Sequence, residues 1–287
     1  MILRGSELAA HIRVTVKLAI DRRLEAGSPA PRVTIVLAAE ASAAHIYIAS
    51  VEKSFANVGI QSHRMVMPEG ATTLDLVAAI EALAADSTVQ GILLPTPLPK
   101  GHSLLAAQDA LPPEKDIEGI SSPNIGRLAL GQPRSIPATP LGGIELLRHY
   151  SIQLEGKRAV VIGRSSVVGW PMATLLMQAN ATVTVCHSRT PDMGEVTRQA
   201  EILVAAAGRP KLVTADMVRP GAVVVDFGVN VTEDGMCGDV DFDGVAEVAS
   251  AITPVPGGTG PVTAAVLVRN VLEAAERANG PAPGAVG

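Results

Sequence analysis

The chain has 287 residues, of which 47% are hydrophobic and 18% charged; this excludes a disordered polypeptide and points to about two domains. A formal charge of −5, with no block of like charge, gives no sign of a nucleic-acid or anionic-membrane surface. Only 2% of residues are aromatic, so Ala, Val, Leu and Ile must build the core, which suits α/β layers.

Ser6 opens a helix running to about Arg23 and stopped by Gly27. Residues 31–39 (PRVTIVLAA) form a strand, 41–58 a helix closed by Gly59, and 63–67 a second strand. Thr72 or Thr73 starts a helix through Ala85, and VQGILLP (89–95) is a third buried strand. This β-α-β-α-β order implies a parallel sheet with right-handed crossovers. Past the Pro-rich stretch at 133–140, GIELLRHY is a helix; 158–163, 182–186, 202–207 and 222–228 are short apolar runs. Such runs fit strands covered on both faces. A last helix spans Val262 to about Arg277, and the tail at 281–287 is expected to be disordered.

The start of the chain has no apolar region with a small-residue cleavage site, and no run approaches the ~18–20 apolar residues of a membrane span. Cys186 and Cys237 do not amount to a disulfide framework, so a reduced, cytoplasmic protein is expected.

The strongest local signal is RAVVIGRSSVVGWPMATLL, where a buried strand ends at Gly163 and a helix starts near Gly169. This is the geometry in which helix N-terminal amides receive a dinucleotide phosphate. The spacing departs from G-x-G-x-x-G, and an ordinary βα turn is the plainer alternative. The next strand ends in CHSRT, without the carboxylate that selects NAD; Arg164, Ser188 and Arg189 offer donors for a 2′-phosphate, which points to NADP. Two other segments stand out: ITPVPGGTGPVT (252–263), a stiff Pro/Gly loop, and PPEKDIEGISSPNIGRL (112–128), which carries Asp116 and Glu118. Alone, the first reads equally as a structural turn and the second as a solvated acidic loop.

Taken in order, VIGRSSVVGWPM, PATPLG, PVPGGTGPVT and KDIEGISSPNIGRL resemble the bifunctional methylenetetrahydrofolate dehydrogenase/cyclohydrolase family, over about residues 5–278. The resemblance implies two α/β domains around a cleft, the second a Rossmann-like NADP-binding domain. It divides the chain into a folate-side catalytic domain (1–139 plus 262–280) and the nucleotide domain (140–261). It further implies Gly163, Arg164, Ser165, Ser188, Arg189 and Val229 at the cofactor, and Tyr47, Glu118, Pro256, Gly257 and Gly258 at the folate substrate, with Tyr47 catalytic. It implies a homodimer and no metal.

The sequence also departs from the family at the folate side. The family helix S-x-x-Y-V-x-x-K-x-K is AHIYIASVEKSF here: Tyr47 and Lys53 match, but the first Lys is Val51 and the Ser is Ala44. Lys53 cannot replace the missing amine, because position i+6 lies about 240° around the helix from Tyr47, whereas i+4 lies about 40° around. The Gln that partners the Lys is Pro95, and the second Asp of K-D-V-D-G is Glu118. Hydride removal from the methylene bridge is assisted by the flanking nitrogens and needs positioning and an acceptor, whereas hydrolysis needs proton transfer. The expectation is an NADP-dependent methylenetetrahydrofolate dehydrogenase with cyclohydrolase activity weak or lost. A repurposed oxidoreductase acting on another cyclic amine or iminium compound, or a non-catalytic folate- or NADP-binding paralogue, stays open.

Overall fold

A computed structural model describes residues 1–38, 42–233 and 235–279, the side chains of 42–47 and 279 excepted. The tail anticipated at 281–287 lies outside the described residues. The chain divides into two units, His11–Ile136 with Leu267–Gly287, and Met1–Ala10 with Pro137–Val266. The sequence-based division instead put residues 1–10 with the first of these. Backbone pairing accounts for the difference: Leu3 N–H donates to Ile252 O (2.8 Å), Gly5 N–H to Gly257 O (2.9 Å), and the Met1 ammonium to Ser250 O (2.7 Å).

The unit containing His11–Ile136 is built on β1 (Arg32–Leu37), β2 (Gln61–Val66) and β3 (Gly91–Leu93), all parallel in the order β2-β1-β3. Helices α1 (Ser6–Glu25), α2 (Ser42–Ala56) and α3 (Thr73–Ala85) connect or precede these strands. Central β1 buries five of its six residues, whereas edge strand β2 buries none. Thr72 rather than Thr73 caps α3, in a reciprocal box: the Asp75 carboxylate accepts from Thr72 N–H (2.8 Å) while the Thr72 hydroxyl accepts from Asp75 N–H (3.3 Å). Two further short helices are α4 (Leu104–Ala110), in a stretch given no assignment from sequence, and α5 (Ser122–Ala129), in the run that reads alone as a solvated loop.

The other unit begins with α6 (Ala138–His149), followed by β4 (Arg158–Ile162), α7 (Gly169–Gln178), β5 (Thr182–Cys186), α8 (Met193–Thr197), β6 (Ile202–Ala205) and β7 (Val223–Asp226). After an antiparallel hairpin of β8 (Asn230–Thr232) and β9 (Gly235–Cys237) come α9 (Phe242–Ala246), β10 (Ala251–Ile252) and α10 (Thr259–Asn279), which counts with the other unit from Leu267 on. The five-stranded sheet runs β10-β7-β6-β4-β5 with every neighbour parallel. Its inner strands β4, β6 and β7 carry the apolar runs and are buried, as two-sided cover requires. The chain leaves β4 to one side for β5 and returns to the other for β6, so the sheet reverses direction at the carboxyl end of β4. In open α/β sheets ligands bind at such a reversal.

Candidate functional site

At this reversal the backbone of Gly163 has φ 120°, and a Cβ there would overlap the Ala206 carbonyl oxygen beyond β6. A Cβ on Gly169 would likewise overlap the Gly163 carbonyl. The two glycines let the end of β4, the loop after β6 and the first turn of α7 touch backbone to backbone, which leaves a shallow cradle of main chain. Ser165 Oγ accepts from Val168 N–H (3.2 Å) and Gly169 N–H (3.3 Å), tying the turn to the start of α7. Arg164 and Ser165 are exposed, as are Ser188 and Arg189 just beyond β5. Gly163 N–H donates to Cys186 O (2.9 Å), so these two clusters stand on adjacent strand ends. Val229 is 66% exposed beyond β7, on the same edge of the sheet. All six residues assigned from sequence to the cofactor thus lie along the carboxyl edge of one sheet.

Two carboxylates that sequence reasoning passed over hold this edge together. Buried Asp239 accepts from Ala207 N–H (2.6 Å), Gly208 N–H (2.8 Å), Arg209 N–H (2.9 Å) and the Asn230 side-chain amide (2.9 Å). It therefore fixes the loops after both β6 and β7. Asp226, at the end of β7, accepts from Gly228 N–H (2.7 Å), Asp239 N–H (3.0 Å) and Val240 N–H (2.9 Å). Burial, with the Asp239 charge adding to it, pushes the Asp226 carboxyl up to about 6 against the opposing pull of these three N–H groups. Asp226 also anchors the Pro/Gly loop through its main chain, accepting from Thr259 Oγ1 (3.0 Å) and donating to Thr253 Oγ1 (2.7 Å). Pro256, Gly257 and Gly258 sit in that loop, where Gly257 has φ 105° and Gly258 approaches the Pro254 backbone closely. In sequence Asp239 sits in GDVD, between β9 and α9, a run that matches no general motif.

In the other unit, helix α2 carries positions 47 and 51 at i,i+4 spacing. The Tyr47 and Ala44 side chains lie outside the described residues. Val51 is 1% exposed, and Lys53 is exposed, in accord with their helical spacing. Pro95 follows β3 and is half-buried. Glu118 is also half-buried and accepts from Leu94 N–H (3.1 Å), which brings it beside the segment that leads into Pro95. Its neighbour Asp116 has a different task, accepting from Gly119 N–H (2.9 Å), Ser121 N–H (2.7 Å) and Asn124 Nδ2 (2.8 Å) to shape the loop into α5. Lys115 is committed too: its ammonium donates to the carbonyls of Leu83 (3.0 Å), Ala84 (2.8 Å) and Asp86 (2.6 Å) at the end of α3.

Burial, with the nearby Asp116 charge adding to it, pushes Glu118 up to about 8; the Leu94 N–H only partly offsets this. The folded value lies above the ordinary 4.5, so the folded state holds an extra proton between those limits, and stability falls as pH rises through that window. Glu118→Gln should therefore flatten the pH dependence and gain on wild type from pH 5 to 9. Urea midpoints across that range test it; parallel curves for the two proteins would refute it.

The family models match both parts of the chain. Residues 3–118 match the catalytic domain of tetrahydrofolate dehydrogenase/cyclohydrolase, and residues 137–279 its NAD(P)-binding domain. The chain belongs to the tetrahydrofolate dehydrogenase/cyclohydrolase family. Among its relatives, the bifunctional protein FolD of Chloroflexus aggregans is 50% identical, with 95% of this chain and 96% of that one covered. The solved FolD methylenetetrahydrofolate dehydrogenase/cyclohydrolase of Campylobacter jejuni superimposes with a TM-score of 0.92 at 40% identity, covering 96% of this chain and 99% of that one. The Trypanosoma brucei enzyme, solved with NADP cofactor and inhibitor, gives 0.90 at 31% identity, with 96% and 97% covered. The five-stranded unit is thus the family's Rossmann-like nucleotide-binding domain, and the three-stranded unit carries its catalytic domain.

Proposed function

We infer that the protein oxidises 5,10-methylenetetrahydrofolate to the 5,10-methenyl compound with NADP, and that hydrolysis of that product is weak or lost. NADP, when bound, supplies the hydride acceptor. The backbone cradle at Gly163 and Gly169 fits a pyrophosphate, and exposed Arg164, Ser188 and Arg189 fit a 2′-phosphate. Val229 offers an exposed apolar surface on the same edge for a ring of the dinucleotide. On the folate side, Glu118 would take the amino-pyrimidine edge of the pterin, the role its position has in the family pattern.

The observation that carries the reading is the contrast between the two units. Every nucleotide-side feature is retained, while the positions of the proton-transferring Lys and Gln hold Val51 and Pro95, which neither donate nor titrate. Incubating the protein with NADP and methylenetetrahydrofolate, and following NADPH and methenyl product separately, tests it. Absence of NADPH formation would favour another cyclic amine substrate, to which the longer Glu118 arm lends some support.

Arg164→Ala should narrow the preference for NADP over NAD roughly tenfold or more, since a guanidinium–phosphate contact contributes about 1.5–3 kcal/mol. Calorimetric affinities for both dinucleotides check this, and an unchanged ratio would remove Arg164 from the phosphate site. A homodimer is supported by β2, an edge strand exposed at five of its six residues that a second copy can cover. A cytoplasmic setting is supported by Cys186 and Cys237, both free thiols, and by the described residues, where no helix is long and apolar enough to cross a membrane.

A further inference from the structure

Between β5 and α8 the chain makes a turn whose corners are Ser188 and Arg189. Thr190 N–H donates to His187 O (2.8 Å), which closes the four-residue turn. Two side chains brace it from within. Thr190 Oγ1 accepts from His187 N–H (3.0 Å), and His187 Nδ1 accepts from Arg189 N–H (3.1 Å). The second of these is unusual in kind, since an imidazole here does what an Asp or Asn oxygen does in an Asx turn. Because Nδ1 receives an N–H, the neutral ring carries its proton on Nε2.

The Arg189 guanidinium has no hydrogen-bond or ion-pair partner among the described residues. Its direction of departure follows its own backbone, whose N–H is held by the His187 imidazole inside the turn that Thr190 closes. An unrestrained corner residue pays orientational entropy when a ligand captures its side chain, and a braced one pays less. We propose that His187 is a specificity-determining positioning residue: its Nδ1 holds the Arg189 main chain so that the guanidinium is pre-aimed at the 2′-phosphate of NADP. The inference rests on the NADP reading above and deepens it. Only the 2′-phosphate benefits from this brace, so NAD, which lacks that group, should be indifferent to it.

The test compares kcat/KM for NADP and NAD in wild type, His187→Leu and His187→Asn. Leu removes the acceptor while keeping bulk; Asn places Oδ1 where Nδ1 stands. His187→Leu should lower the NADP:NAD ratio about three- to tenfold by weakening one charge-assisted contact, through KM for NADP, with kcat/KM for NAD and the thermal midpoint unchanged. His187→Asn should keep the wild-type ratio. An unchanged ratio in His187→Leu, including one produced by equal losses with both dinucleotides, overturns the proposal. So does an equal fall in both variants, which would assign the effect to the ring itself. A wild-type protein with no NADP preference would overturn the cofactor reading, and this inference with it, before any variant is made.

Discussion

Wild-type protein turning over methylenetetrahydrofolate with NADP should accumulate the methenyl product, hydrolysed no faster than it is in buffer. Water addition to the methenyl cation requires a group that accepts a proton and another that orients it. Val51 presents two methyl groups, buried to 1% exposure, and Pro95 has neither a side-chain donor nor a main-chain N–H. The neighbouring lysines do not compensate. Lys53 is exposed on another face of α2, and Lys115 spends its ammonium on three carbonyls at the end of α3. Val51→Lys alone places an amine in an apolar site, where burial depresses its pKa and costs stability. Pro95→Gln alone restores a polar group with nothing to orient. Hydrolysis should therefore appear chiefly in the double variant, well beyond the product of the single effects, while NADPH formation changes little. Rapid hydrolysis by wild type, followed by loss of methenyl absorbance, would show that another group activates water.

The second large effect is expected at Asp239. Its two oxygens accept four N–H groups; in Asp239→Asn one oxygen becomes an NH2 turned toward donors it cannot satisfy. Leaving such part-buried donors unpaired costs about 1–2 kcal/mol each, so a loss of about 2–4 kcal/mol is expected. Relief of Asp226 offsets only part of it, since burial rather than the Asp239 charge is the larger cause of that carboxyl's raised pKa. Urea unfolding measures the loss. Because the loops after β6 and β7 are released together, KM for NADP should rise more than KM for folate. A variant as stable as wild type would mean that the loops hold themselves.

Much of the fold is legible in the sequence. The inner strands of the nucleotide unit announced themselves as β-branched runs because both faces are covered. The glycines at 163 and 169 stood out because a strand end meeting a helix start demands bare backbone. Other parts were hidden for physical reasons. Strand β10 has two residues and the β8–β9 hairpin six, too short for any periodicity to register. Helix α5 is concealed by Pro123 and Gly126 within a run that reads as loop. Asp116 and Glu118 look alike in sequence; only the folded chain shows that Asp116 closes its own loop through N–H groups at 119, 121 and 124, while Glu118 accepts one N–H from distant Leu94. Asp239 was invisible because its partners at 207–209 and 230 are set by topology rather than by spacing.

The nucleotide edge separates two jobs that many binding sites fuse. On the function proposed above, Gly163 and Gly169 would hold the nucleotide through main chain alone, where an added Cβ meets backbone, whereas Arg164, Ser188 and Arg189 are exposed at the surface. The gripping part is frozen, and the discriminating part is free to drift. On that reading, one dinucleotide could be exchanged for the other by changing two or three exposed residues, with the glycines that the backbone contacts require left in place. For the protein engineer, a cofactor-swap library belongs at positions 164, 188 and 189, with the glycines left out of it.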